Sequence, residues 1–186
     1  MREGERRDGG DFSQDFTNIV CDSEGNFTYA IMSQNEYTIM THDRKGNTVR
    51  TIHRPYKPIA MKGARLEEHA RNLQGRAGID KKLGLTSSTA NGVAPYYFAI
   101  EALALDSFDN LWVLTGEGRG RDALSVDLYD AKGNFRKSFS LENKELGSQK
   151  VRHVLVRDNY LYAIVGDKNE QNEHVYRYAL PEEIWQ

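Results

Sequence analysis

The sequence predicts an all-β fold, and three observations predict it. The pattern Asp-x-x-(Gly/Asp)-Asn is written four times, as DSEGN at 22–26, DRKGN at 43–47, DSFDN at 106–110 and DAKGN at 130–134. Short runs rich in β-branched, aromatic and other apolar residues flank every copy. The copies come in two pairs with similar spacing, 21 residues from Asp22 to Asp43 and 24 from Asp106 to Asp130.

The runs read as strands joined by hairpins. FTNIVC and FTYAIMS flank the first turn, EYTIMTH and TVRTIHR the second. AIEALAL, LWVLTGE, ALSVDLY and FRKSFSL repeat that order downstream. Asp and Asn suit the turns because their side chains bond nearby backbone, and Gly or Asn tolerates positive φ. Each unit is therefore a four-stranded antiparallel meander of about 40 residues, the length and content of a propeller blade. A third unit starts at VRHVLVRDNYLYAIV, where Asp158 takes the place of Asp106, and it stops after three strands. The predicted fold is a partial β-propeller of about three four-stranded antiparallel blades, at about 14–54, 97–141 and 150–180. A β-sandwich with similar turns is the competing reading.

Residues 58–95 lack strand alternation and form a partly helical insertion. Leu66, Ala70 and Leu73 fall on one helical face within 63–75, and LTSSTANG is loop chemistry. Residues 1–12, charged and Gly-rich, read as a flexible tail before a single domain over 13–186.

Composition narrows the function classes. Of 186 residues, 39% are hydrophobic and 28% charged, which suits a globular domain with its own core. A net charge of -2 points to neither nucleic acid nor anionic membrane. No apolar run approaches the roughly 18 residues of a membrane helix, and no secretory signal is written at the start. Cys21, the one cysteine, sits in the apolar run NIVCD and is expected to be a buried structural thiol. NFT at 26–28 fits a glycosylation sequon, relevant only in a eukaryotic secretory route.

In a propeller the first strand of each blade lines the central channel. Five residues before Asp22, Asp106 and Asp158 stand Thr17, Glu101 and His153, with Asn18 and Arg152 beside them. A carboxylate and an imidazole at a channel mouth could bind a ligand, hold a metal or act as acid and base; hydrated channel lining is the simpler reading. Tyr96 and Tyr97 stand where the insertion re-enters a blade and suit either a binding surface or an anchor between blades. The Gly-x-Gly-x-Gly of TGEGRGRD at 115–122 opens no helix, so it is a hairpin rather than a phosphate loop. His69 in LEEHARN lacks the second His of a metalloprotease helix. No nucleophile motif is present.

IEALALDSFDNLWVL, VDLYDAKGNFRKSFSL and LYAIVGDKNEQNEHVYRYAL resemble the C-terminal half of bacterial six-bladed β-propeller proteins, in the broad NHL-repeat and TolB-like group. The resemblance covers about 14–180 and implies a fold more than a function. Gluconolactonase-type relatives imply a divalent metal held by Glu, Asn and Asp side chains, for which Glu101 and Asn18 alone would fit. Relatives of this kind are often exported or periplasmic. Three blades are half of a six-bladed ring, so a truncated gene, a homodimer of half-rings or assembly with another chain would each account for the chain. The expected function is a non-enzymatic binding or scaffold module without a cofactor. It would present a channel mouth or the insertion to a protein, peptide or glycan partner through Glu101, His153, Arg152, Asn18 and Tyr96. The alternative is a metal-dependent lactonase-like hydrolase in the channel.

Overall fold

The computed structural model describes residues 18–63, 66–67, 70–71, 96–118, 123–142, 150–166 and 173–184, with only the backbone at Lys150 and Arg152. The tail at 1–12, Thr17, most of the insertion and the loop residues 119–122 and 167–172 lie outside the described residues. Leu66, Glu67, Ala70 and Arg71 are helical, as the periodicity predicts. No described helix is long and apolar enough to cross a membrane.

The described fold is all-β. A first sheet is formed by β1 (Val20–Cys21), β2 (Phe27–Ala30), β3 (Tyr37–His42) and β4 (Thr48–Arg54). A second holds β5 (Ile100–Leu105), β6 (Leu111–Thr115), β7 (Ala123–Tyr129) and β8 (Phe135–Glu142). A third holds β9 (Lys150–Arg157), β10 (Tyr160–Gly166) and β11 (Glu173–Ala179). Every pairing is an antiparallel meander between chain neighbours. The three sheets correspond to the three expected blades, with the third lacking an outermost strand, in the manner of a partial propeller.

The repeated turn explains its own spelling. Asp43 Oδ1 accepts from the backbone N–H of Lys45 and of Asn47, at 2.8 and 2.9 Å, while Asn47 Nδ2 donates to Oδ2 at 2.9 Å. Asp130 makes the same three bonds to Lys132 and Asn134, and Asp22 bonds Asn26 through backbone and side chain. The fourth position is left-handed, with φ 81° at Gly25, 85° at Gly46 and 84° at Gly133. Asp109 takes that conformation in the remaining copy with φ 60°, which a short polar side chain tolerates. Asp thus bonds the turn from one end while Asn closes it from the other, and the position between them must bend left-handed.

Packing follows strand alternation. One core joins the first two sheets and contains Ala30, Tyr37 and Ile39 against Ile100, Leu103, Leu111, Val113 and Tyr129. A second joins the second and third sheets, with Ala102, Ala104, Trp112, Leu114, Val126 and Leu128 against Val156, Leu161, Ala163 and Val165. The middle sheet is therefore covered on both faces over β5–β7, where every residue of β6 is buried, while β8 alternates exposed with half-buried residues. β3 alternates buried with half-buried residues, because the far face of the first sheet has no neighbour among the described residues.

That far face corrects the expectation for Cys21. Its thiol is exposed. β1 has two residues: Val20 pairs with Thr28 on the covered face, and Cys21 pairs with Phe27 on the open one. An apolar neighbourhood in sequence did not reveal which face the thiol takes.

Asp106 sits deeper than the other turn aspartates, at 7% exposure. It accepts from Phe108 N, Asn110 N, Asn110 Nδ2 and the buried indole Nε1 of Trp112. Asp106→Ala leaves these donors unpaired and is expected to cost about 3 kcal/mol. Asp43→Ala, on a solvated turn, should lower the thermal midpoint far less. Equal losses in thermal unfolding would contradict this ranking.

Candidate functional site

The inner strands carry the residues singled out from sequence, and two irregularities decide where they stand. In β5, Ile100 pairs with Thr115 and Ala102 with Leu114, so Glu101 is the extra residue of a β-bulge. In β9, His153 pairs with Ile164 and Val151 with Val165, so the extra residue is Arg152. Bulges re-aim side chains at sheet rims. Counting back from the turn aspartates matched Glu101 with His153, whereas the backbone matches Glu101 with Arg152. The first hairpin of the third sheet is the reason. Its turn is two residues, Asp158 and Asn159, with φ 50° and 62°, the left-handed pair of a tight hairpin. Asp158 is its exposed tip, not the head of a five-residue turn.

Asn18 bridges two sheets. Its carboxamide Oδ1 accepts from Leu103 N at 2.9 Å, and its Nδ2 donates to the Leu103 carbonyl. It acts as a surrogate strand partner that ties the start of the first sheet to β5. His153 is exposed on the open face of the third sheet, on the same side as Leu155 and Ile164. Tyr96 is half-buried and forms an antiparallel bridge with Ala60, while Tyr97 N donates to the Ile59 carbonyl at 3.0 Å. Tyr96 therefore belongs to the joint that closes the base of the insertion. A Cβ at Gly116 would run into the Phe98 carbonyl, so glycine is needed where this joint meets the end of β6.

The strongest electrostatic cluster was not among the sequence candidates. Asp127 in β7 is 3% exposed and faces the first sheet. Arg54 Nη1 lies 2.7 Å from Asp127 Oδ2, a charge contact outside good hydrogen-bond alignment, and Arg54 Nη2 donates to Glu117 Oε1 at 3.1 Å. Ser138 Oγ also donates to Asp127. The Arg54 guanidinium covers the Tyr37 ring at 4.6 Å, and Tyr129 Oη donates to Tyr37 Oη at 3.1 Å. A lone Asp within the apolar run ALSVDLY was the available signal, but its partner stands 73 positions away in another blade.

Burial pushes the Tyr37 hydroxyl far up, and the Asp127 charge adds to the effect. Burial also raises Tyr129. Tyr56 is pushed up to about 12, by burial first and then by the Glu117 and Glu101 carboxylates. Glu101 thus lies within electrostatic reach of Tyr56, as Glu117 and Arg54 do, at the end of the sheets opposite the aspartate turns. Burial is the largest influence and works against the Arg54 charge, yet Asp127, Tyr37 and Tyr129 together outweigh it and the net shift is upward. Arg54 links a buried carboxylate to a surface one, and it joins two sheets while doing so. Among the described residues, no three His, Cys, Asp or Glu side chains gather as metal ligands. No family model matches this chain, and no curated protein matches it.

Removing Arg54 strands a buried carboxylate. Arg54→Met is expected to cost about 3 kcal/mol in urea unfolding. Asp127→Asn should cost less, because Arg54 is partly exposed and keeps Glu117. The reverse order would contradict the assignment of Asp127 as the buried member.

The tyrosines fix an alkaline limit. In the unfolded chain they ionise near pH 10, and in the fold they hold their protons to higher pH. Their contribution is complete below pH 10 and is lost as pH rises through the folded values. The urea midpoint should stay level from pH 8 to 9.5 and then fall, less steeply in Tyr56→Phe. A level midpoint through pH 11 would contradict the shifts.

Proposed function

We propose that this chain is a non-enzymatic binding module of β-propeller type. It docks a protein on the open faces of its sheet stack, and the partner is a second copy that completes a six-bladed ring. The observation that carries this reading is the pair of unlike end faces. The open face of the third sheet bears Leu155 at 53% and Val175 at 65% exposure, around half-buried Tyr162 and Ile164, with Arg177 over the Tyr160 ring at 4.7 Å. The open face of the first sheet bears Phe27, Tyr29 and His42 in a parallel stack, with Met40 and Cys21 beside it. Clustered apolar side chains on a sheet face favour a partner over water.

The two contacts within the chain join the faces in one sense. The rear of the first sheet packs on the front of the second, and the rear of the second packs on the front of the third. A second copy would repeat that relation by setting the rear of its third sheet on the front of the first. Two such contacts are related by a two-fold axis, so the assembly closes. Closure would set Glu101 and its symmetry mate around one channel, whose mouth a protein, peptide or glycan could enter, while His153 would lie within the contact between copies.

Light scattering behind a sizing column tests this. The expected mass is about 42 kDa, twice the 21.2 kDa of the chain, and Leu155→Glu should return it to the monomer value. Because only the folded form pairs, the thermal midpoint should rise with protein concentration. A monomer mass at every concentration overturns the proposal.

A further inference from the structure

The end of the stack that carries the aspartate turns has a cleft between the second and third sheets, with a volume of about 660 Å³. We propose that this cleft binds a peptide, seating a Lys or Arg side chain at its rim and an apolar neighbour on its floor. The inference goes beyond the end-face reading and does not rest on it, since the cleft lies within one chain.

The floor is Leu128 and Ile184, which belong to the core shared by the two sheets. The rim carries Phe108, 71% exposed. It occupies the third position of its turn, where the other three copies place Glu24, Lys45 and Lys132. Its backbone is fixed by the bond from Phe108 N to Asp106 at 2.9 Å. An exposed phenyl ring on a rigid turn offers a face to a cation, and that attraction grows as water is excluded.

The charges select the ligand. Asp106, Asp130 and Glu182 line the cleft against Arg136, three carboxylates to one guanidinium. Burial works to raise the Asp130 carboxyl, but the Asn134 hydrogen bonds and Arg136 outweigh it, and it stays below the usual carboxylate range. Glu182 stands on the opposite wall in a 3₁₀ turn, Glu182–Ile184, which is closed by the bond from Ile184 N to the Pro181 carbonyl. Lys137 ties this turn to β8 by donating to the Glu183 carbonyl. An ammonium or guanidinium head between Glu182 and Asp130 would face opposite charge, and its methylene stem would lie over the apolar floor. An anionic ligand would meet excess like charge.

The equivalent cleft between the first and second sheets serves as an internal comparison. It holds about 380 Å³ and is lined by Asp22, Glu24 and Asp109 against Arg50 and Lys132, with no aromatic residue. Ser23 crosses it to bond Asp109 through backbone and hydroxyl. The same place in the fold is thus laced across in one gap and left open, ring-bearing and more acidic in the other.

The test titrates the full chain with two labelled probes, acetyl-Leu-Arg-Leu-Arg-Leu-amide and acetyl-Leu-Glu-Leu-Glu-Leu-amide, followed by fluorescence anisotropy. The basic probe is expected to bind saturably and more weakly at high salt, and the acidic probe not at all. Phe108→Ala and Glu182→Gln should each weaken binding by about fivefold, while Glu24→Gln in the other cleft leaves it unchanged. Equal binding of both probes, no saturable binding of the basic probe, or indifference to both cleft substitutions overturns the proposal. Circular dichroism of each variant separates lost binding from lost fold.

Discussion

Strands β5–β7 are covered on both faces, and the rest of the molecule is arranged around that constraint. Trp112, Leu114 and Val126 point one way, Leu111, Val113 and Tyr129 the other, and each set is covered by a neighbouring sheet. A sheet buried on both sides cannot stand alone in water, because roughly 25 cal/mol is lost for every Å² of apolar surface left wet. The first and third sheets are thus part of the folding unit of the second. They can in turn present apolar faces outward because each is already anchored on its inner side.

Burial on both faces also sets the terms for polar groups. Asp127 lies on a covered face, and Arg54 reaches it from the first sheet to make an ion pair. Asn18 performs the neutral version of the same task by bonding the Leu103 backbone across the gap between sheets. At the turn end, Arg50 donates to the Ala131 carbonyl at 2.7 Å, and Ser23 bonds Asp109. The first and second sheets are thus joined by polar bonds along most of their height. Side-chain packing joins the second and third sheets over the described residues, and there the stack opens into its larger cleft.

The legibility of these features in the sequence follows from their range. The aspartate turns could be read because donor and acceptor lie within five residues, and the strand alternation because it is periodic. The arrangement into three sheets followed from those two signals together. Cys21 misled because a two-residue strand carries no periodicity to mark its face. His153 was matched to Glu101 because the count assumed equal turns, while a two-residue hairpin and displaced bulges change the register. Arg54 and Asp127 escaped because a contact between blades leaves no local spacing rule. Phe108 was quoted within its turn, yet its weight comes from Glu182 and Ile184, far along the chain and on the facing wall of the cleft.

The central claim is that the three sheets form one stack whose middle member depends on both neighbours. Native-state amide hydrogen exchange tests it most directly. The account predicts the slowest exchange in β6 and β7, at a rate set by global unfolding, and faster exchange in β4, β8 and β11 at the sheet edges. If the third sheet can be opened by Val156→Asp or Leu161→Asp while β6 and β7 keep their full protection, the middle sheet does not need its neighbour and the account is wrong.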